Sequence, residues 1–445
     1  SLCTCFLVSK FWYKTLLPIL WHGYWPDKTS KFIPSKAIAR HSHLLMVLRL
    51  SSYNFSANKA SLLGCTNLVE LVIDVNRDQQ NTNQIGLTEQ QLLRSNPLLR
   101  KLHWSSVGDS SPAALDPEDF AGLKKLDSLL LDFWSCSDGR LARTLRNISG
   151  TLRRLEIGSV FDVKPEDFSA ALLQEEHPHG YDTGLDDAEP GPMMDRLEWL
   201  KWRQGTASAD CLIEFVKCCP NLKAIEVSPN EDSNLDRLAE NLRSYCPQLE
   251  TLNVGIFLWS PSLRSLLYRC SASGLRALHI ATQQPKDDLV SGILHHASTL
   301  EDLWIFQARE CADGQNYVRL LVECTKLKRF SFHTKFQYFQ KNILETLRQE
   351  RWRCRSLQEL DVHLGFDVVV RGKAVVDEQG KQVTATTLAF DAGWEEVPFL
   401  NKEGKKFAMS RAQPLFDLLE FQELEGLKRL VLDGVPFRRI AHRSM

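Results

Sequence analysis

The chain has 445 residues, of which 43% are hydrophobic and 24% charged, with a formal net charge of -1. That balance is ordinary for a globular domain and removes the electrostatic case for a nucleic acid or an anionic membrane as partner. No apolar run approaches the roughly 20 residues of a membrane span, and twelve cysteines with no Cys-x-x-Cys pair suit neither a small disulfide scaffold nor a zinc site.

The chain opens on an apolar stretch, FLVSKFWYKTLLPILW, interrupted by Lys10 and Lys14. It is expected to form an amphipathic helix and not a signal peptide. The first residue is Ser1, as expected of a fragment. The order Leu7-Val8-x-Lys10, then Trp12, Leu16 and Leu17, then Pro18-x-Leu20-Trp21, resembles the second half of an F-box. In that family the F-box is a small helical module that docks on the adaptor subunit of a cullin–RING ubiquitin ligase. The resemblance covers about 20 residues and implies that Leu7, Val8, Trp12, Leu16, Leu17, Pro18, Leu20 and Trp21 meet the adaptor. It also lacks the family's Leu-Pro start. A helical cap shielding the first repeat of a stacked array explains the same residues, and the two roles are compatible. Residues 1–40 are therefore set apart as partial F-box and cap, with a polar connector and a short helix over 26–43.

From about residue 41 onward one pattern recurs, Leu-x-x-Leu-x-apolar. Its first leucines are Leu45, Leu68, Leu99, Leu126, Leu152, Leu197, Leu222, Leu249, Leu275, Leu300, Leu327, Leu357 and Leu427, thirteen copies in all. In the middle of the chain, from Leu222 to Leu300, the spacing is 27, 26 and 25 residues. A fixed period of this size signals a stacked repeat. The fourth and sixth positions share one face of a strand, and the third, fifth and seventh share the other. Between copies, Leu212, Phe215, Val216 and Cys219 fall at i, i+3, i+4 and i+7, as do Leu235, Leu238, Ala239 and Leu242. That is one apolar helix face. Each unit reads strand, turn, helix, turn, and neither element buries its face without a neighbour. Thr88 with Gln91 is expected to start a helix as a capping box. Pro117 and Pro165 are expected in first helical turns.

Cys65, Cys219, Cys246, Cys324 and Cys354 each stand three residues before a first leucine. They are expected as small buried groups at helix ends, which implies a reducing compartment, the cytoplasm or nucleus. Two Asn-x-Ser sequons, Asn54 and Asn147, point weakly toward secretion instead.

Two insertions break the period. Residues 174–192 carry six carboxylates and no Lys or Arg, an expected acidic loop on one edge. His177 and His179 lie in it without a fixed partner, so no metal is assigned there. Residues 366–414 contain β-prone pieces separated by DEQGK and NKEGKK turns, expected as hairpins projecting from the array. Such insertions are often the binding element of a repeat protein. The last 13 residues read as an end cap or tail.

No phosphate loop, dinucleotide fingerprint, H-E-x-x-H or G-x-S-x-G sequence is present, and the expected role is binding without a cofactor. The third, fifth and seventh positions include Ser105, Arg154, Glu156, Glu359, Asp361 and Arg429. Among them the strongest candidates for contact are His103, Trp199, Lys201, Arg203, His279, Asp302, Trp304, Phe306, Arg329 and His333. Trp199, Trp304 and Phe306 are large aromatics where small polar residues would suffice, and Trp and Arg dominate interface energetics. Trp104 and Trp202 occupy the sixth position and are expected in the core. Mixed charge on the face favours a protein partner over a polyanion.

The cysteine before the strand, with proline after it in CPNL and CPQL, resembles the cysteine-containing class of leucine-rich repeats, a class familiar behind F-boxes. Five of the thirteen copies carry that cysteine. The resemblance implies an α/β solenoid with strands on the concave side, helices outside, and a helical F-box remnant at the start. It further implies the substrate-recognition subunit of a Skp/cullin/F-box-type ubiquitin ligase, holding adaptor and cullin at one end and an unknown protein target on the repeat face. A leucine-rich scaffold with no ligase link, a repeat receptor for a small molecule, and a secreted glycosylated ectodomain remain as alternatives.

Overall fold

The structure, a computed structural model, describes residues 10–25, 35–51, 61–76, 85–107, 113–173, 194–203, 209–228, 234–255, 261–282, 287–307, 315–334, 350–362, 394–396, 424, 427–432 and 435–439. The chain forms two compact units. Unit 1 holds Ser1–Val227 and Ser244–Gln248, and unit 2 holds Ser228–Arg243 and Leu249–Met445.

Unit 1 begins with helix α1 (Lys10–Leu20), strand β1 (Gly23–Tyr24) and helix α2 (Ser35–His41). The repeat strands follow: β2 (Val47–Ser51), β3 (Glu70–Asn76) and β4 (Lys101–Val107), with helix α3 (Ile85–Arg94) before β4. After a two-residue strand β5 (Ala113–Ala114) come β6 (Ser128–Asp132), β7 (Trp134–Ser135) and helix α4 (Arg140–Asn147). Then come β8 (Arg154–Ile157), β9 (Val160–Phe161), helix α5 (Pro165–Leu173), β10 (Trp199–Arg203), helix α6 (Ala209–Val216) and β11 (Ala224–Ser228). The sheet order is β1-β2-β3-β4-β6-β8-β10-β11. Successive repeat strands pair in parallel, with second leucine against second leucine: Leu48 on Leu71, Leu71 on Leu102, Leu102 on Leu129, Leu129 on Leu155 and Leu155 on Leu200.

That register carries the core. The fourth and sixth positions of every copy here, including Trp104 and Trp202, are buried, each large side chain contributing about 1.5–3 kcal/mol by leaving water. The helix faces close on them: Phe168 of α5 and Phe215 of α6 both lie against Trp202, at ring separations of 6.4 and 5.9 Å. Leu212, Phe215, Val216 and Cys219 are all buried, as their spacing requires. One expected start is displaced. Helix α3 begins at Ile85, so Thr88 lies within it and not at its start. Pro117 opens a short 3-10 turn (Pro117–Phe120), where the Asp116 carboxylate accepts the Glu118 N–H at 3.1 Å. Pro165 is the first residue of α5.

A second, small sheet has the order β5-β7-β9. The chain crosses to it from β6 through the left-handed Phe133, at φ 59°, and from β8 through Gly158 and Ser159; a second left-handed residue, Asp162 at φ 58°, follows β9. Asp132 fixes this crossing, accepting the Ser159 N–H at 2.5 Å. Gly158 is needed there, since a Cβ would sit 2.2 Å from Asp132 Oδ1.

Unit 2 contains helix α7 (Leu235–Tyr245), most of whose residues belong to it, then β12 (Thr251–Gly255), α8 (Pro261–Arg269), β13 (Ala277–Thr282), α9 (Asp287–Leu294), β14 (Asp302–Gln307), α10 (Gln315–Glu323), β15 (Arg329–Thr334), β16 (Glu359–Val362), β17 (Trp394–Glu396), β18 (Arg429–Leu432) and β19 (Val435–Arg439). Its order is β12-β13-β14-β15-β16-β18-β19-β17. The strands from β12 to β18 are parallel and again stack leucine on leucine, Leu252 on Leu278 and Leu278 on Leu303. The last two differ: β19 runs antiparallel to β18, and β17 antiparallel to β19. The expected tail thus supplies a strand, β19, that pairs with both β18 and β17. The one described piece of the 366–414 insertion, β17, pairs with β19 and ends the sheet; the rest of it, the acidic loop 174–192, His177, His179 and Asn54 lie outside the described residues.

In several copies the position three before the first leucine is a polar plug. Cys219 Sγ donates to Phe215 O at 3.2 Å and Cys246 Sγ to Val216 O at 3.4 Å. In the copy of Leu99 the same place is Asn96, which accepts the Leu68 N–H and donates to Cys65 O and Leu92 O, each at 2.7 Å. In the copy of Leu300 the task falls one residue earlier, to His296, which accepts the Leu275 N–H at 3.2 Å and donates to Leu267 O at 2.7 Å. Thirteen parallel strands with inward leucines, linked by helices and turns, make the chain a leucine-rich-repeat α/β protein, each unit a segment of solenoid.

Candidate binding face

Six of the ten candidate residues converge in unit 2. The fifth positions of four adjacent strands are in register, His279 on Trp304, Trp304 on Ser331 and Ser331 on Asp361. Two residues further along, Phe306 pairs with His333. Trp304 and Phe306 stack at 5.9 Å with 12° between their planes. Both are on β14, two residues apart, so they point the same way and form an aromatic ledge. Imidazoles flank it: His279 lies 6.2 Å and His333 6.0 Å from the Trp304 ring.

Each imidazole faces a carboxylate, His279 Nε2 at 3.5 Å from Asp302 and His333 Nε2 at 3.1 Å from Asp361. Asp302 also holds Arg329 at 2.6 Å. Burial alone would raise the Asp302 carboxyl, but His279 and the Arg329 guanidinium together bring it below the ordinary carboxylate range. One strand further, Arg429 lies 3.7 Å from Glu359. His279, Asp302, Trp304, Arg329, Glu359, Asp361 and Arg429, with Ser331 and the edges of Phe330 and Leu360, line a cleft of about 290 Å³. The arrangement offers an apolar shelf ringed by donors and acceptors already held in place, a geometry for recognition.

The other four candidates lie on unit 1 and are engaged differently. Trp199 is not an open anchor: the Arg154 guanidinium of the neighbouring strand stacks 3.8 Å from its ring. Arg154 and Trp199 are register partners, which is the signal for this contact. Lys201 bridges Glu156 at 3.5 Å and Glu226 at 2.9 Å, and Arg203 reaches Glu156 at 3.2 Å. His103 is half-buried, and burial lowers its imidazole against the pull of Asp74, Glu156 and Asp132. Ser105, expected on this face, is buried; its register partners Asp74 and Asp132 are longer and shade it.

Near the start of the chain, Trp12 lies on α1, and Leu7 and Val8 fall outside the described residues. Leu16 and Leu17 are half-buried, and Pro18 and Leu20 are exposed. Trp21 packs on His41 at 4.8 Å. Ile19, between the resemblance's proline and leucine, is 65% exposed, and Leu20 is 42% exposed. The amide of the Asn147 sequon donates to Pro117 O at 2.8 Å.

A pattern the leucines conceal runs along the strand entries. The residue after each first leucine alternates in sign from Arg100 through Asp127, Arg153, Glu198, Lys223, Glu250, Arg276 and Glu301 to Lys328. Neighbours pair across strands: Glu198 with Lys223 at 3.2 Å in unit 1, and in unit 2 Arg276 with Glu250 at 3.6 Å and with Glu301 at 3.2 Å, and Glu301 with Lys328 at 2.8 Å. Aligning the copies on their leucines reveals it. Among the described residues no group of His, Cys, Asp and Glu is arranged to hold a metal ion, and no helix is long and apolar enough to cross a membrane.

No protein-family model matches the chain, and no curated protein matches it. Similar solved structures include TLR13 in its complex with ssRNA13, at 15% identity and a TM-score of 0.36, covering 74% of this chain and 50% of that one. An internalin (inlF) of Listeria monocytogenes aligns at 16% identity and a TM-score of 0.32, over 69% of this chain and 87% of that one. The Arabidopsis receptor kinase HAESA, in complex with the peptide hormone IDA and the co-receptor SERK1, aligns at 17% identity and a TM-score of 0.33, over 65% of this chain and 42% of that one.

Proposed function

We propose that the chain is a receptor for another protein, captured on the aromatic ledge of unit 2. The observation that carries this is the stacked Trp304–Phe306 pair on a solvent-facing strand, flanked by His279 and His333 and rimmed by Asp302–Arg329 and Glu359–Arg429. Binding is the role, since these charged groups are held in place by one another in ion pairs around an apolar shelf. Trp304→Ala is expected to weaken target capture by about tenfold or more, the loss typical of a central aromatic anchor, with the melting temperature unchanged. Unaltered capture by that variant removes the ledge as the site.

The finer reading is the substrate-recognition subunit of a Skp/cullin/F-box-type ubiquitin ligase. It is supported by the partial F-box pattern and by the exposure of Ile19 and Leu20 within it. In this role the start of the chain holds the adaptor and the ledge holds the target near a ubiquitin-charged enzyme, so that rate comes from proximity. The nine described cysteines are all free and buried, which suits the reducing cytoplasm or nucleus where such ligases work. Purified adaptor–cullin complex is expected to co-elute with the chain and to lose it on Ile19→Asp/Leu20→Asp. If the wild-type chain fails to co-elute, the ligase role falls and the receptor role stands. A second reading, a small-molecule sensor, is favoured by the cleft beside the ledge; a thermal-shift screen with Trp304→Ala as control separates it.

A further inference from the structure

The rim of the ledge is a comb. The third positions of β14, β15, β16 and β18 lie side by side in register, Asp302, Arg329, Glu359 and Arg429, with signs that alternate strand by strand. The residues just before them double the signs, Glu301 ahead of Asp302, Lys328 ahead of Arg329 and Lys428 ahead of Arg429. The comb carries no net preference for an anion or a cation; it prefers a partner whose own charges alternate at the same pitch. Its teeth are oriented by the Asp302–Arg329 and Glu359–Arg429 pairs and are not saturated. Arg329 and Arg429 remain 58% and 56% exposed, and a guanidinium has five N–H donors while a carboxylate accepts about four bonds.

Pitch decides which secondary structure matches. Neighbouring strands are about 4.8 Å apart, so the teeth fall at about 0, 4.8, 9.6 and 14.4 Å. On an α-helix, at about 1.5 Å per residue, positions i, i+3, i+7 and i+10 fall at about 0, 4.5, 10.5 and 15.0 Å on one edge. No tooth is missed by more than about 1 Å. An extended segment repeats its side-chain direction every two residues, about 6.7 Å, and misses the second tooth by about 2 Å. Width agrees with pitch. Trp304 and Phe306 lie two and four residues beyond the comb along β14, about 7 and 13 Å away, and a helix about 10–12 Å across covers the comb and Trp304 together.

We infer that unit 2 receives an amphipathic α-helix of its partner protein, laid across β14, β15, β16 and β18. One edge carries basic and acidic residues in alternation at i, i+3 or i+4, i+7 and i+10, a base opposite Asp302 first, and its apolar face sets an anchor on Trp304. This deepens the receptor proposal and rests on it. The test is selection of a displayed library of random 16-residue peptides on the full chain, with Trp304→Ala as counter-selection. Affinities of the recovered peptides are then read by fluorescence anisotropy. The expected peptides carry the alternating spacing and lose at least tenfold with a central proline. They lose at least fivefold on Arg329→Glu, and the loss is recovered when the facing acidic residue becomes lysine. The melting temperatures of both protein variants are measured alongside, and a variant that does not fold is replaced by Trp304→Leu or Arg329→Gln. Peptides that need Trp304 yet tolerate the proline overturn the helix and leave the receptor face standing. Recovery of no Trp304-dependent peptide overturns both.

Discussion

His296 has none of its surface exposed to solvent, and both ring nitrogens are committed, one accepting the Leu275 N–H and the other donating to Leu267 O. Only the neutral ring satisfies that pattern, because an imidazolium has no acceptor. Burial accordingly lowers its pKa from 6.5 to about 4. Between those values the unfolded chain binds the proton and the folded one does not, so stability rises with pH there. The contribution is complete above about pH 6.5 and is lost as pH falls toward 4, on the order of 3 kcal/mol in all at about 1.4 kcal/mol per unit. His296→Asn is expected to flatten this part of the curve, since an amide offers the same donor and acceptor without titrating, as Asn96 does. The check is the melting temperature of both proteins at pH 7.0, 6.0 and 5.0. An equal fall in the two would assign the acid sensitivity elsewhere.

At the scale of the repeat element, a polar plug before the first leucine ties helix to strand in the copies that carry one. Asn96 satisfies three buried backbone groups with one side chain. Asn96→Ala is therefore expected to destabilise the fold by about 2–4 kcal/mol, more than one ordinary hydrogen bond, since each orphaned buried group costs about 1–3 kcal/mol. Urea denaturation measures it, and a loss under 1 kcal/mol would mean that water replaces the amide. The strands themselves were legible from the spaced leucines, because inward positions in a parallel array tolerate little but large apolar groups. So were the buried Trp104 and Trp202 and the cysteines as buried helix-end groups. Thr88 was misread because capping depends on where the helix begins, and it begins three residues upstream, at Ile85. The surroundings of Trp199 were illegible for another reason. Its exposure is set by Arg154, 45 residues earlier in sequence but one strand away in space. The sign alternation at the strand entries was in the sequence all along, yet it becomes visible only once the leucines have fixed which residues are neighbours. The β5-β7-β9 sheet had no such signal, since two-residue strands carry no period.

At the scale of the molecule, a stacked array couples each copy chiefly to its neighbours, so damage should spread by distance along the stack. Unit 2 contains the probes to test this. Leu252 of β12 is fully buried, and truncation to alanine is expected to cost about 2–5 kcal/mol through lost burial and a cavity. Cys270 stands at the end of α8, in the copy that follows, whereas Cys354 precedes β16, several copies further on. Burial has pushed both thiols up to about 12, so neither forms the reactive thiolate unless its surroundings open. Native-state alkylation therefore reports local opening copy by copy. In Leu252→Ala, Cys270 should react at least about tenfold faster than in the parent, the least expected when an opening free energy falls by about 1.4 kcal/mol or more, while Cys354 should change little. Acceleration of the two by the same factor would instead make unit 2 a single cooperative body, and the strand-by-strand stacking of its leucines would then describe its geometry without describing how its stability is shared.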